Sequence, residues 1–231
     1  EIRLSLVGSE MCIRDSEHFE RRSFDAVIDV SPYKGSELLE VLCELGVPTV
    51  LCGQLEGHPY RDVFSTVYSD DEEGGRFAAL AMKERGRKDI VAVLGPQDNP
   101  AVVDRLRGYR AVLGEDLPDA NVIYTGWNNG DGYQAMHQIL AREIAFDGVL
   151  CGSDRIAAGV ITALNEAGLS VPADISVVGF DDHEIATRCV PALTTVRQPL
   201  REEGHMAANI ALDMIKGAEP TRLRRISYAV F

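Results

Sequence analysis

Four short apolar runs from Val91 onward end on residues able to hold a ligand. "VAVLGPQDN" delivers Asn99, "VIYTGWNNG" delivers Trp127, "GVLCGSDR" delivers Ser153 and "SVVGFDD" delivers Asp181. A carboxylate accepts two hydroxyl donors at once, and amides and hydroxyls both donate and accept. An indole face covers the C–H side of a sugar or stacks on a planar base. This is chemistry for gripping a small polar molecule. Chemistry for transforming one is missing: the chain has no GxSxG elbow, no P-loop, no HExxH and no GxGxxG opening a helix after a strand. His18, His58, His137, His183 and His205 are isolated from one another. His183 beside Asp181 and Asp182 is the only pairing worth weighing, and a surface histidine explains it better than a general base. No enzymatic activity, cofactor or metal is expected.

The elements that must position these tips form a regular series. From Phe24 onward short β-branched runs alternate with longer amphipathic stretches: "FDAVIDV", "GSELLEVLCELG", "VPTVLCG", "DDEEGGRFAALAMKERG", "DIVAVLG", "AVVDRLRGYRAVLG", "ANVIYTG", "GDGYQAMHQILARE", "FDGVLCG", "DRIAAGVITALNEAG" and "DISVVGFDD". That alternation predicts an α/β fold with parallel sheets. The strands are apolar on both faces, as sheets covered by helices on both sides require. In such sheets ligands sit at the carboxyl ends of strands, where the four tips lie. Asp70, Asp71, Glu72 and Glu73 crowd a helix start, where the macrodipole favours negative charge, and read as capping and solvation in preference to a metal site. Asp154 reads as an N-cap and Gly168 as the closing residue of the same helix.

A chain of 231 residues with 45% hydrophobic side chains can bury a sizeable core as one large domain or two lobes. Its formal charge of −13 argues against a broad phosphate-binding surface, since DNA binding needs clustered Lys and Arg. Cys12, Cys43, Cys52, Cys151 and Cys189 lack zinc-site spacing and disulfide-scaffold density, and read as reduced, mostly buried small hydrophobes. No apolar run is long enough to cross a bilayer and no secretory h-region opens the chain, so a cytoplasmic location is expected.

From about Glu17 to Phe231 these motifs, in this order, resemble the effector-binding core of the LacI/GalR family of bacterial transcription regulators, which shares its two-lobed fold with periplasmic sugar-binding proteins. "SVVGFDD" followed by "PALTTVRQP" carries the resemblance most specifically. It implies a periplasmic-binding-protein-like (type I) fold with three chain crossings, near Tyr68, Gln198 and Gly217. The partial N-terminal lobe would comprise residues 17–68 and 198–217, and the C-terminal lobe 69–197 and 218–231. A small effector, a sugar or sugar derivative by the family's habit, would bind in the cleft between them.

Position by position, the resemblance puts Arg105 of "DRLRGYR" where the family hydrogen-bonds its effector, Trp127 where an aromatic ring lies against it, and Asp181 at the effector-binding acid. Asn99, Ser153 and Gln198 match further cleft positions, although each also suits a loop or turn, as Trp127 suits core packing. Gly53 stands where many sugar-responsive members carry an acid. The resemblance further implies a homodimer, for which the apolar helix from Asp154 to Gly168 is a candidate surface, and operator DNA bound through a headpiece.

Two functions share this architecture. "PALTTVRQPLREEGHMAANIALDMIKG" resembles the regulators more closely than the transport proteins, and the upstream sequence discriminates: a helix-turn-helix marks a regulator, an apolar leader a secreted binder. The front of the chain is anomalous. Leu6–Ser16, "LVGSEMCIRDS", follows neither a two-residue nor a 3.6-residue rhythm and back-translates without strain as a transposon sequencing-library adaptor. Residues 1–16 are accordingly expected to be foreign to the fold, with the headpiece and the opening strand, helix and strand of the first lobe absent from this chain.

Overall fold

The computed structural model describes residues 4–8, 24–30, 32, 38–55, 59–60, 62–142, 144–217 and 224–226. The chain divides into two compact units, one of residues up to Asp70 and from Pro199 onward, the other Asp71–Gln198.

The first unit holds strands β1 (Leu4–Gly8), β2 (Ala26–Val30), β3 (Thr49–Cys52), β4 (Ser65–Ser69) and β10 (Arg224–Ile226), in that order across one sheet. Every pairing is parallel. Alternate side chains divide between two helices. Val27 and Leu51 pack with Leu39 and Leu42 of α1 (Leu38–Glu44), whereas Ala26, Ile28, Val50 and Val67 pack with Ala207, Ile210 and Ala211 of α6 (Leu200–Ile215).

Three expectations change here. Leu4–Gly8 forms an edge strand in register with Ala26–Val30 although all five residues fall in the segment 1–16 set aside as foreign, Leu6–Gly8 within the adaptor-like run itself; the rest of that segment lies outside the described residues. β10 belongs to the first unit instead of the second, because its backbone groups find partners along the open edge of β4, Arg224 opposite Val67. β4 and β9 were not among the expected strands; both fall where a crossing was placed.

The second unit contains β5 (Ile90–Leu94), β6 (Val122–Tyr124), β7 (Gly148–Cys151), β8 (Ser176–Asp181) and β9 (Thr194–Arg197), parallel throughout and ordered β6-β5-β7-β8-β9. β5 and β7 are buried at every residue, as double-sided coverage demands. One face carries Val91, Val93, Val149 and Cys151 against Met136 and Ile139 of α4 (Asn129–Leu140) and Ile156, Val160 and Leu164 of α5 (Asp154–Glu166). α5 ends as expected: Gly168 has φ 77°, its N–H reaches Asn165 O at 3.0 Å, and Leu169 N–H reaches Leu164 O at 3.0 Å. Its N-cap is Ser153 and not Asp154.

α2 (Asp71–Glu84) and α3 (Pro100–Leu113) lie so close that glycine is required where they touch. A Cβ on Gly75 would collide with the carbonyl of Arg105, and one on Gly108 with the carbonyl of Glu72. Helical Gly→Ala ordinarily stabilises by about 0.5–1 kcal/mol. Gly75→Ala is expected instead to cost about 1–3 kcal/mol by overpacking, whereas Gly130→Ala in α4, where a Cβ meets nothing within 4 Å, keeps the ordinary sign; urea denaturation of the two variants checks this.

Candidate ligand-binding site

Arg105 organises the carboxyl edge of the second unit. It leaves α3 with only 5% of its surface exposed. Its Nε donates to Asp71 Oδ1 at 2.8 Å, its Nη1 donates to the carbonyl of Gly152 at 2.5 Å, and Nη1 stands 3.7 Å from Asp181 Oδ1. The guanidinium lies over the Phe180 ring, 3.7 Å from its centroid, a cation–π arrangement that favours a desolvated cation. One side chain thereby ties the start of α2, the tip of β7 and the tip of β8.

The turn after β8 is unusual. Asp181 has φ 114° and Asp182 φ 59°, values that L residues adopt at a cost of about 1–3 kcal/mol each. The turn brings the Asp181 carboxylate beneath Gln198, whose Nε2 donates to Oδ1 at 2.5 Å. Burial pushes the Asp181 carboxyl up to about 6; Arg105 and the Gln198 hydrogen bond oppose that, and Asp154 and Asp71 add to it.

At the neighbouring tip the Trp127 ring rests on Gly95, where an added Cβ would come within 2.5 Å of it. Gly95 in turn touches Gly152, whose own Cβ would sit 3.1 Å from Gly95 N. Trp127 also packs against the hydrophobic cluster beneath, so it is partly a core residue. Asn99 and Ser153 are helix caps: Asn99 Oδ1 accepts from Ala101 N at 3.0 Å, and Ser153 Oγ, 4% exposed, accepts from Ile156 N at 3.2 Å. Of the six residues singled out in the sequence, Arg105 and Gln198 each meet Asp181, Trp127 connects to them only through Gly95 and Gly152, and Asn99 and Ser153 shape the helix starts.

Asp71 and Asp154 were read as helix-start acids and turn inward instead. Asp71 is 8% exposed and Asp154 fully buried. The signal that finds them is position, since each directly follows a strand tip and opens a helix. In the first unit, Gly53 has φ 129°, a conformation L side chains rarely adopt. Asp29, 3% exposed, has its carboxyl raised to about 6 by burial. The Cys52 thiol is pushed up to about 12 by burial, then by Glu203 and Asp29. Cys43, Cys52, Cys151 and Cys189 are free thiols; Cys12 lies outside the described residues. Among the described residues no group of His, Cys, Asp and Glu is arranged to hold a metal ion, and no helix is long and apolar enough to cross a membrane.

Comparison with known proteins identifies the family and the fold. The periplasmic binding protein-like domain model matches residues 79–230. The HTH-type transcriptional regulator CelR of Thermobifida fusca is 36% identical over 204 residues, covering 86% of this chain and 60% of that protein. A solved CelR–cellobiose complex superposes with TM-score 0.87 at 33% identity, covering 94% of this chain and 67% of that one. A LacI family regulator of Enterococcus faecalis with bound ribose gives 0.79 at 26% identity, with 95% and 80% covered. The chain thus spans less than two thirds of the curated CelR protein's length.

The two acids on Arg105 are expected to respond oppositely to substitution. Asp71→Ala removes the nearer partner of a buried guanidinium and is expected to cost about 3–5 kcal/mol. Asp181 has a raised folded-state value, so the native state holds its proton between about pH 4 and 6 while the unfolded chain has released it, and stability falls across that window. Asp181→Asn is therefore expected to stabilise the chain by on the order of 1 kcal/mol at pH 7 and by nothing at pH 4; urea denaturation at both values measures the difference.

Proposed function

The chain belongs to the periplasmic binding protein-like domain family, and on that premise we propose that it is the effector-sensing core of a LacI-type transcription regulator working in the cytoplasm. The observation that carries the reading is the cluster of buried Arg105 with half-buried Asp181 and Gln198 at the carboxyl ends of the strands, in a chain whose relatives are regulators.

The cluster favours a neutral, hydroxyl-rich effector. Arg105 already faces Asp71 and Asp181, so it has no surplus charge for a carboxylate or phosphate. Asp181, ionised above about pH 6, accepts hydroxyl donors, and Gln198 and Arg105 fix where it does so. Trp127 offers an apolar face at the adjoining tip. A sugar meets all three demands, and cellobiose and ribose in the two solved relatives support that class. Asn99 and Ser153 belong to the proposed site as the caps that set its rim.

The formal charge of −13 argues against a broad phosphate-binding surface on this chain, so we assign operator contact to a helix-turn-helix segment of the intact regulator. We place a homodimer contact on the outer side of α5 and the segment after it. Its Ile, Val and Leu side chains are mostly spent on the core, although Ile161 also reaches the outer side. What remains is a shallow groove lined by Ala158, Thr162, Asn165, Ile185 and Val190, with Val190 82% exposed. A transport protein would share the sugar cluster but need neither the operator nor the dimer.

A thermal-shift screen of the chain against neutral sugars and their phosphates tests the effector class, since a ligand at a hundred times its Kd adds about 2.7 kcal/mol. Neutral sugars are expected to raise the melting temperature and lose their effect in Asp181→Ala; stabilisation by phosphates alone would overturn the reading. In the intact protein, operator DNA is expected to alter effector affinity by the factor by which effector alters operator affinity. Independent binding of the two would favour the transport function.

A further inference from the structure

Asp154 has no contact with Arg105 among the bonds described above, yet it is the most enclosed carboxylate among the described residues of the second unit, with 0% of its surface exposed. It follows Gly152, whose carbonyl takes Arg105 Nη1, by two residues. Its two oxygens are both used across the sheet. Oδ2 accepts from the backbone N–H of His183 at 2.7 Å, and Oδ1 accepts from Thr195 Oγ1 at 2.5 Å. Thr195 Oγ1 in turn accepts from the backbone N–H of Asp182 at 3.3 Å.

These bonds bracket the left-handed pair Asp181–Asp182 on its far side. The approach depends on Gly179, because a Cβ there would collide with Asp154 Oδ1. A pair of L residues at positive φ persists only where its surroundings over-determine it, and the Asp154–Thr195 couple supplies two of the backbone hydrogen bonds that do so.

We propose that Asp154 is a positioning residue for the ligand site: with Thr195 it holds the Asp181–Asp182 turn in the conformation that presents the Asp181 carboxylate to Arg105 and Gln198. The inference rests on the reading of that cluster as ligand-binding, and it adds a residue that touches no ligand. Burial raises the Asp154 carboxyl, while its bonds to Thr195 and His183 favour the charged form. The charged groups around Asp181 are Arg105 from α3, Asp71 from α2, Asp154 from α5 and Asp182 beside it. Asp182 is held outward by Arg197, whose Nε donates to its Oδ2 at 2.5 Å.

Asparagine satisfies the same geometry without charge. Its oxygen accepts from His183 N–H and its amide donates to the Thr195 hydroxyl, which rotates to receive it. Alanine satisfies none of it. The test is a carbon-13 carboxyl titration of Asp181 in the whole 231-residue chain, run beside calorimetry with cellobiose and with ribose as probes.

In Asp154→Asn only the repulsion from a neighbouring carboxylate is lost, so the Asp181 midpoint falls slightly and sugar affinity stays within about twofold. In Asp154→Ala the turn is released into water, so the midpoint falls further, toward an ordinary carboxylate, and affinity drops roughly tenfold. Thr195→Val, which keeps side-chain shape, gives an intermediate loss if Asp154→Ala proves too unstable to titrate. Equal midpoints in the Asn and Ala variants, or a wild-type midpoint in Thr195→Val, overturn the proposal by reducing Asp154 to a charge or a bystander. Failure of both sugars to bind the wild-type chain counts against the sugar reading, and the ligand-free titration still decides the positioning.

Discussion

A guanidinium that is nearly sealed from water and cannot lose its proton is the constraint on which the second unit depends. Arg105 requires anionic and dipolar partners on several sides, and each sits on a different element: Asp71 at the head of α2, the Gly152 carbonyl past β7, Asp181 at the end of β8. Satisfying them fixes the depth at which α3 lies on α2. That depth excludes side chains at Gly75 and Gly108, so two glycines that weaken their helices locally are required by a charge several residues away. Buried ion pairs are poor sources of net stability but severe penalties when broken. Arg105 therefore acts less as a fastener than as a specification of which strand tips must converge.

Around that charge the unit tolerates features that cost stability. Asp181 and Asp154 are both carboxylates whose burial raises their protonation range, and Asp181 occupies a backbone region L residues avoid. Packing alone could fill the same space more cheaply with apolar residues. Strained backbone and poorly solvated acids gathered at the carboxyl edge of a parallel sheet are the pattern of a site kept for binding. The opposite edge of the same unit shows the contrast. There Arg87 donates to Ser176 Oγ at 2.9 Å and to the carbonyls of Pro172, Ala173 and Asp174, a closure that merely pins a loop.

The alternation of apolar runs made the parallel sheets legible in the sequence, because strands buried on both faces have almost no freedom in composition. β5, β7 and β8 lie where their runs predicted. β4 and β9 were not legible as strands: "STVYS" and "TTVR" are rich in hydroxyls and charge, and only the hydrogen-bonding edges beside them make them strands. At the site, Arg105, Asp181 and Gln198 could be named from motif position, but their convergence could not. The inward turn of Asp71 was hidden by its three acidic neighbours, since macrodipole arguments apply to all four alike. Asp154 was hidden by Ser153, which took the cap and left the aspartate for the next strand tip. Local rules assign a residue to the nearest job, and here the tertiary contact won.

Charge links the site to the rest of the proposed regulator. With 36 acidic residues against 23 basic ones, the chain repels a polyanion at distances set by the Debye length, about 8 Å at physiological salt. Under the reading proposed here, all favourable contact with operator phosphates must then come from a separate basic segment, and the acidic core opposes non-specific DNA binding by that segment. A core that attracted DNA would keep the protein bound whatever the effector did, leaving little differential free energy for a ligand to exploit. The acidity first met as an argument against nucleic acid is thus compatible with a sensing role, provided that the coupling to DNA runs through structure and not through the charge of the core itself.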